Sequence, residues 1–499
     1  MNLIFDIQQA IEDHYDYKAF CIDNSYYTYK DLAQQISNIR NEIKTWIHQE
    51  DTFVGLVVND DIETYASIFA LWLEGKAYVP IHPDFPIHRN IKIIEQAGIK
   101  TILDSSENTT FDICTNIQTK YCKTLEIDLV PSSKKIDNTY AYMFFTSGTT
   151  GVPKGVPITF DNLSGFIDAF WALKYNITST DRCLQMFELT FDLSVVSYLV
   201  PILKGACVYT IPKDQIKYSY IFELMEDYEL TFALMVPSIL QYLRPYFDEI
   251  HCPALKYSLF CGEALPLDVV EEWSNCIPNA TIANVYGPTE CTIFCTDYTY
   301  NRVGGNIAHN GILSIGKSMK HTFTIIVDRN NNEVKEGEKG ELCLSGVQLT
   351  PGYWRNEEKN KEVFFDKEYD GEKIRFYKTG DLCLVGNDKN VVYLGRVDFQ
   401  AKIQGFRVEL SEIEFHVKTY LDKKNVVVIA FINKVNNTEI GLAIASEEFD
   451  TTLLLGQLKT VLPHYMIPTQ IKFVDSFPLN TNGKIDRKKI KKSFGEYHN

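Results

Sequence analysis

The chain has 499 residues, 45% of them hydrophobic and 23% charged. That is too long for one core and too apolar for disorder, so two or more globular domains are expected. With 49 Lys and Arg against 65 Asp and Glu, a net charge of −16, the chain is a poor match for nucleic acid.

The N-terminus carries no basic n-region, and no apolar run reaches the roughly 18 residues of a membrane span. The 12 cysteines and 10 histidines show neither C-x-x-C nor H-x-x-x-H spacing. A cytoplasmic protein with reduced thiols, no structural zinc and no membrane span is expected.

In chain order, Leu32, Ile36, Ile39 and Ile43 predict an amphipathic helix over 30–46. A strand at 53–58, a helix at 63–74, a strand at 76–83, a helix at 87–98 and an extended stretch at 101–103 follow. The apolar run from Tyr142 to Phe145 then enters Thr146-Ser147-Gly148-Thr149-Thr150-Gly151-Val152-Pro153-Lys154-Gly155. Its glycines let the backbone approach a ligand, its hydroxyls donate, and Lys154 adds a positive charge, a set suited to a polyphosphate. It is not a Walker A loop, because Pro153 and Gly155 stand where that pattern needs Gly and Ser or Thr.

Alternation resumes with strands at 183–187, 206–211, 255–260 and 281–285 and helices at 193–203 and 219–228. This predicts an α/β fold with doubly wound, mostly parallel sheets. Cys261-Gly262-Glu263 and Tyr286-Gly287-Pro288-Thr289-Glu290 fall at carboxyl ends of strands, where such sheets bind ligands. Short strands and turns mark a small β subdomain at about 304–395. A boundary at Asp398 separates an N-terminal core, 1–397, from a small α+β C-terminal domain, 398–499, with helices at 411–420 and 452–462 and strands at 425–431 and 469–474. The basic run Lys484, Arg487, Lys488, Lys489, Lys491, Lys492 reads as a solvated helix face.

Residue chemistry assigns candidate roles. Asp381, after a tight turn in Tyr377-Lys378-Thr379-Gly380-Asp381, could accept the hydroxyls of a ribose. Tyr286 could stack an adenine, Asn284 could meet its exocyclic nitrogen, and Glu290 could hold a Mg²⁺ that relies on phosphate oxygens. Asp192, in Phe191-Asp192-Leu193-Ser194, is either a buried partner for an ammonium or the N-cap of the helix that follows.

Taken in order, T-S-G-T-T-G-x-P-K-G, F-D-L-S, N-V-Y-G-P-T-E, Y-K-T-G-D, G-R-V-D-F-Q-A-K-I-Q-G-F-R-V-E and P-L-N-T-N-G-K-I-D-R-K resemble the adenylate-forming superfamily over nearly the whole chain. The resemblance is to nonribosomal peptide synthetase adenylation domains and stand-alone D-alanine:carrier-protein ligases. It implies an ATP- and Mg²⁺-dependent ligase that forms aminoacyl-AMP and transfers the aminoacyl group to a phosphopantetheine thiol. By that resemblance Thr146, Ser147, Gly148, Thr149, Thr150, Gly151 and Lys154 cradle the phosphates, and Asn284, Tyr286, Gly287 and Thr289 surround the adenine side. Asp381 holds the ribose, Arg396 the ribose or phosphate side, and Glu290 the metal. Asp398 is the hinge of a mobile C-terminal domain, which presents Lys484 for adenylation and the loop of Lys402 and Gly405 for thioester formation.

The same resemblance places Asp192 on the substrate ammonium, with Leu193, Val196, Ser238, Leu259, Cys261, Val285, Ile293 and Phe294 around the side chain. A small, uncharged amino acid is expected, D-alanine being one candidate. His82 and Phe294 depart from the family's usual residues. The last motif ends at Lys488, close to the end of the chain, so the carrier protein is expected in trans. The alternatives are an acyl- or aryl-coenzyme A ligase and a non-catalytic nucleotide-binding protein.

Overall fold

Strand-period and helix-period segments build two mostly parallel sheets. In the computed structural model, residues 2–107, 111–132, 140–148, 152–369, 371–386, 388–398, 400–421, 425–479 and 485–495 are described. One sheet runs Thr115–Gln118, Thr101–Asp104, Phe53–Val57, Ala77–Ile81, Tyr140–Thr146, Lys154–Thr159, parallel until its last pair. The other has nine strands among the described residues. Its parallel centre runs Thr281–Tyr286, Tyr257–Phe260, Phe232–Met235, Arg182–Gln185, Cys207–Thr210, Lys18–Ile22.

Helices Ile62–Leu73 and Leu193–Ile202 are apolar around almost their whole circumference and are buried accordingly. Tyr198 of the second meets Tyr65 and Phe69 of the first, with ring centroids 5.8 and 6.0 Å apart. The core around them is continuous across both sheets. No helix among the described residues is long and apolar enough to cross a membrane.

A five-stranded antiparallel sheet follows, made of Thr322–Val327, Gly340–Gly346, Phe364–Tyr369, Glu372–Val385 and Val391–Arg396. It corrects one expectation. Asp381 follows no turn; it lies inside the long strand Glu372–Val385, where pairing with Gly340–Gly346 shifts register. Gly380 supports that bulge with φ +74°, and a Cβ there would come 2.4 Å from the Arg396 guanidinium.

Past Asp398 the chain forms the hairpin Gln400–Ile403/Phe406–Glu409, the helix Leu410–Tyr420 and a three-stranded sheet, Val426–Ile432, Thr438–Ala445, Gln470–Val474. Alternation along Val426–Ile432 splits its two faces. Val426 and Val428 pack with Ala401, Ile403 and Val408 of the hairpin. Val427, Ile429 and Phe431 pack with Ile490 and Phe494 of the helix Arg487–Gly495. The hairpin and the last helix therefore lie on opposite faces of one sheet.

Candidate active site

Strands ending at Thr146, Gln185, Met235, Phe260 and Tyr286 deliver their following residues to one cleft, and the hairpin tip reaches into it from the other side. Contact there is backbone-close. The Gly405 N–H donates to Glu263 Oε1 at 3.0 Å, and Glu263 Oε2 accepts the Ser238 N–H at 2.8 Å. Gly405 has φ +87°, and a Cβ on it would lie 2.6 Å from a Val236 methyl. Phe406 stacks on Tyr465 at 3.9 Å and approaches Phe191 at 5.4 Å.

On the glycine-rich side the structure describes Thr146, Ser147, Gly148 and Lys154; Thr149, Thr150 and Gly151 lie outside the described residues, as does Lys484. The Ser147 hydroxyl donates to the Arg407 carbonyl at 2.7 Å and accepts the Glu409 N–H at 3.1 Å. The Gly148 N–H donates to Glu412 Oε2 at 3.2 Å, and Arg89 holds Glu412 Oε1 at 2.8 Å in a buried pair. Lys154 Nζ stands 3.4 Å from Glu409 Oε1. Burial, then the nearby Arg407 charge, pulls the Lys154 ammonium below its ordinary value.

Glu290 is fully buried. Arg407 donates to both its oxygens at 3.2 Å, and the Tyr353 hydroxyl donates to Oε1 at 2.5 Å. Burial alone would push the carboxyl up, but Arg407 and Tyr353 together hold it below the usual range. Among the described residues no cluster of three or more His, Cys, Asp or Glu could hold a metal. A single buried carboxylate nevertheless suits Mg²⁺ that draws its other ligands from phosphates and water. Glu290 fits that description once Arg407 is withdrawn.

Tyr286, Asp381, Arg396 and Asp398 form one linked chain of contacts. Asp381 accepts Tyr286 Oη–H at 2.5 Å and Arg396 Nη1–H at 2.7 Å, and Arg396 grips Asp398 through two bonds of 2.6 Å. Lys402 Nζ lies 5.3 Å from the Tyr286 ring centroid. The Asn284 amide donates to the Leu313 and Ser314 carbonyls at 3.3 and 2.9 Å, so its nitrogen already serves the fold.

Asp192 differs from its neighbours. It stands at the start of the helix Leu193–Ile202 but makes no side-chain capping bond, which removes the N-cap as its purpose. Its Oδ2 is buried with no partner, and burial pushes the carboxyl up to about 7. Leu193, Cys261, Ile293, Gly287 and Thr289 line the cleft with it. Burial pushes the Cys261 thiol up to about 12, so it is a neutral wall. Ser238 lines a neighbouring cavity of ≈ 410 Å³, while Val196, Leu259, Val285 and Phe294 sit in the core behind. The Phe294 ring faces Phe166 at 5.0 Å and Phe170 at 6.3 Å.

Ser147, Gly148 and Lys154, the Tyr286–Asp381 pair and the buried Glu290 thus face one cleft at the strand ends. A family model described as AMP-binding enzyme matches residues 7–354. The chain belongs to that family. It is 33% identical to the D-alanine–D-alanyl carrier protein ligase of Bacillus velezensis, covering 83% of this chain and 84% of that protein. It is 30% identical to a linear gramicidin synthase polypeptide of Brevibacillus parabrevis over 94% of this chain but only 9% of that much longer protein. The fold matches the Vibrio cholerae adenylation domain AlmE, solved with glycyl-adenosine-5′-phosphate, at TM-score 0.87 and 24% identity, covering 99% of this chain and 97% of that one. The chain is thus an AMP-forming, adenylate-forming ligase.

Motif reading missed Arg89 and Glu412, and it quoted Glu263 and Glu409 within motifs without giving either a role. Arg89 and Asn90 fall on the buried stripe of the helix Ile87–Ala97 beside Ile93, Ile94 and Ala97. A cation on an apolar stripe was the available signal.

Proposed function

We propose that this ligase activates a small, uncharged amino acid, D-alanine among the candidates, and passes it to a phosphopantetheine thiol on a separate carrier protein. The observation that carries the reading is Asp192, whose orphaned, buried oxygen in the cleft needs a cationic partner. A substrate ammonium supplies one; a fatty or aryl acid does not. Leu193, Cys261 and Ile293 leave little room, since the spaces beside Asp192 measure ≈ 60 and ≈ 50 Å³.

In the first half-reaction the amino-acid carboxylate attacks the α-phosphate and pyrophosphate departs. Charge grows on the phosphoryl oxygens, so cations and backbone donors matter more than a nucleophile. Lys154, Ser147 and the Gly148 N–H face that charge, Lys484 joins them, Tyr286 and Asp381 hold the nucleoside, and Arg396 steadies Asp381. Mg²⁺ on Glu290 supplies countercharge to the phosphates.

In the second half-reaction a thiol must reach the acyl carbon by another route. Gln404 and Phe406 line the ≈ 410 Å³ cavity, whereas Lys402, Gly405 and Arg407 line the cleft containing Asp192. A slender arm entering that cavity meets the reacting centre past Gly405. The helix that follows Lys484 packs on the sheet face opposite the hairpin. A rotation about Asp398 would present one of the two catalytic stretches and withdraw the other, as the family resemblance implies.

The test is incubation with ATP, D-alanine and either holo carrier protein or coenzyme A, with thioesters read by mass spectrometry. Loading of the carrier is expected. Efficient loading of coenzyme A alone would make the protein an acyl-coenzyme A ligase.

A further inference from the structure

Behind Asp192 the core holds polar atoms that no protein group reaches. Tyr142 Oη, Ser194 Oγ and Asp192 Oδ2 are each buried without a hydrogen-bond partner from the chain. Buried hydroxyls and carboxylates are as a rule paired, with protein or with an ordered water, because an unmet one is costly. Three of them around one substrate-facing carboxylate call for a common explanation.

The fold turns the three toward one place. Tyr142 and Phe144 share a face of the strand Tyr140–Thr146, with ring centroids 4.8 Å apart. Phe144 lines the cleft beside Asp192, and Tyr142 lies one step deeper, wholly buried. Ser194 and Tyr198, one helical turn apart on Leu193–Ile202, share a face of that helix. Tyr198 Oη lies 3.1 Å from Tyr78 Oη, and the Tyr78 ring lies 5.8 Å from that of Tyr142, its register partner on the neighbouring strand. The Ser194 face of the helix is therefore turned to the Tyr142 face of the sheet. Asp192 is felt there too, since burial and then the Asp192 charge push the Tyr142 hydroxyl well above its ordinary value. Tyr78 already shares its hydroxyl with Tyr198, which leaves Tyr142 and Ser194 as the uncommitted donors.

We propose that Tyr142 and Ser194, joined to Asp192 Oδ2 through one buried water, are positioning residues of the amino-acid site, donating to the carboxylate from behind while the substrate ammonium meets it from the cleft. An ionised carboxylate oxygen has two lone pairs, so the two do not compete. Donation favours the ionised form, which is the form that holds an ammonium. Neither hydroxyl touches substrate. The charged groups on the cleft side of Asp192 are Glu290, Arg89 and His82 on the two parallel sheets and their connections, Lys402 and Arg407 on the hairpin, and the Asp381–Arg396 pair. All of them are retained when Tyr142 or Ser194 is changed, so a difference between wild type and variant reports the hydroxyl. The inference rests on the proposed pairing of Asp192 with the ammonium.

The experiment is calorimetric titration of the full chain with D-alanine, L-alanine and glycine from pH 6 to pH 8.5, in wild type, Tyr142→Phe, Ser194→Ala, Tyr198→Phe and Asp192→Asn. In Tyr142→Phe and Ser194→Ala the midpoint of the affinity profile should move up by about one pH unit, so that Kd rises about tenfold at pH 6 and returns toward the wild-type value at pH 8.5. ATP affinity should not change. Tyr198→Phe removes a hydroxyl from the same core without removing a donor to Asp192, and its midpoint should stay in place. An unmoved midpoint in either Tyr142→Phe or Ser194→Ala, or an equal move in Tyr198→Phe, overturns the proposal, and the ammonium reading stands if Asp192→Asn still removes binding. A higher Tm in Tyr142→Phe with its midpoint unmoved would mark that hydroxyl as an unmet buried group and nothing more. Affinity indifferent to Asp192→Asn, a flat wild-type profile, or no binding of any of the three amino acids overturns the reading and the proposal with it. Should Tyr142→Phe fail to fold, Ser194→Ala against Tyr198→Phe decides.

Discussion

Two buried carboxylates of the same cleft stand in opposite conditions. Glu290 is saturated by Arg407 and Tyr353 and held below its usual range, whereas Asp192 keeps an oxygen without a partner and is pushed up to about 7. The Glu290 side of the cleft is filled by the chain's own side chains, and the Asp192 side is open. On the proposed function this is the arrangement expected after pyrophosphate has left. On the proposed function, the two half-reactions would use one cleft by exchanging what fills its charged half, with Asp192 serving in both.

The largest effect should come from mirror-image substitutions. Lys484→Ala should cut adenylate formation by roughly 10²–10³-fold, as loss of a transition-state cation does, while transfer from supplied aminoacyl-adenylate persists. Gly405→Ala should do the opposite, because its Cβ would meet Val236 at 2.6 Å and push the hairpin out. Equal losses in both half-reactions for either variant would erase the division of labour.

Next comes Asp192→Asn, which leaves a buried ammonium unpaired at a cost of about 3–5 kcal/mol. Calorimetry should show amino-acid affinity falling far more than ATP affinity. Equal weakening of both would return Asp192 to a structural part. Because burial raises its folded-state value to about 7, the unliganded protein holds a proton there that the unfolded chain releases near pH 4. Wild type should lose stability as pH rises between those values, and Asp192→Asn should have the higher Tm at pH 8.

The same titration predicts that amino-acid affinity rises about tenfold from pH 6 to pH 8, as Asp192 ionises, and that Asp192→Asn flattens the profile. A flat wild-type profile would place the ammonium elsewhere. Phe294→Ala should change activity least. Its ring packs on Phe166 and Phe170, so about 3–5 kcal/mol of stability should be lost, and larger side chains should be accepted if the void opens toward the cleft. An unchanged range of acids would separate Phe294 from the substrate pocket.

What is legible in the sequence follows the range of the interactions. The helix expected over 30–46 is Tyr29–Trp46, because its apolar spacing is a local property. The parallel sheets follow from alternation, and the cleft from turns at carboxyl strand ends. The Asp381 bulge reads as a turn because glycine at positive φ serves both, and only pairing with Gly340–Gly346 distinguishes them. The charge exchange is out of reach of local pattern. Arg407 meets Glu290 across 117 positions and Glu412 meets Gly148 across 264, so neither pair leaves a periodic mark. In the sequence Glu409 and Glu412 look like ordinary acids flanking a helix start.

The central claim, that Asp192 selects an amino acid for adenylation, is tested most directly by ATP–pyrophosphate exchange with matched acids. D-alanine, L-alanine and glycine are compared with propionate and acetate, which lack only the amine. The account predicts exchange with one or more of the amino acids, none above background with propionate or acetate, and loss of the amino-acid signal in Asp192→Asn. Exchange with propionate equal to that with alanine, unaffected by Asp192→Asn, would contradict it.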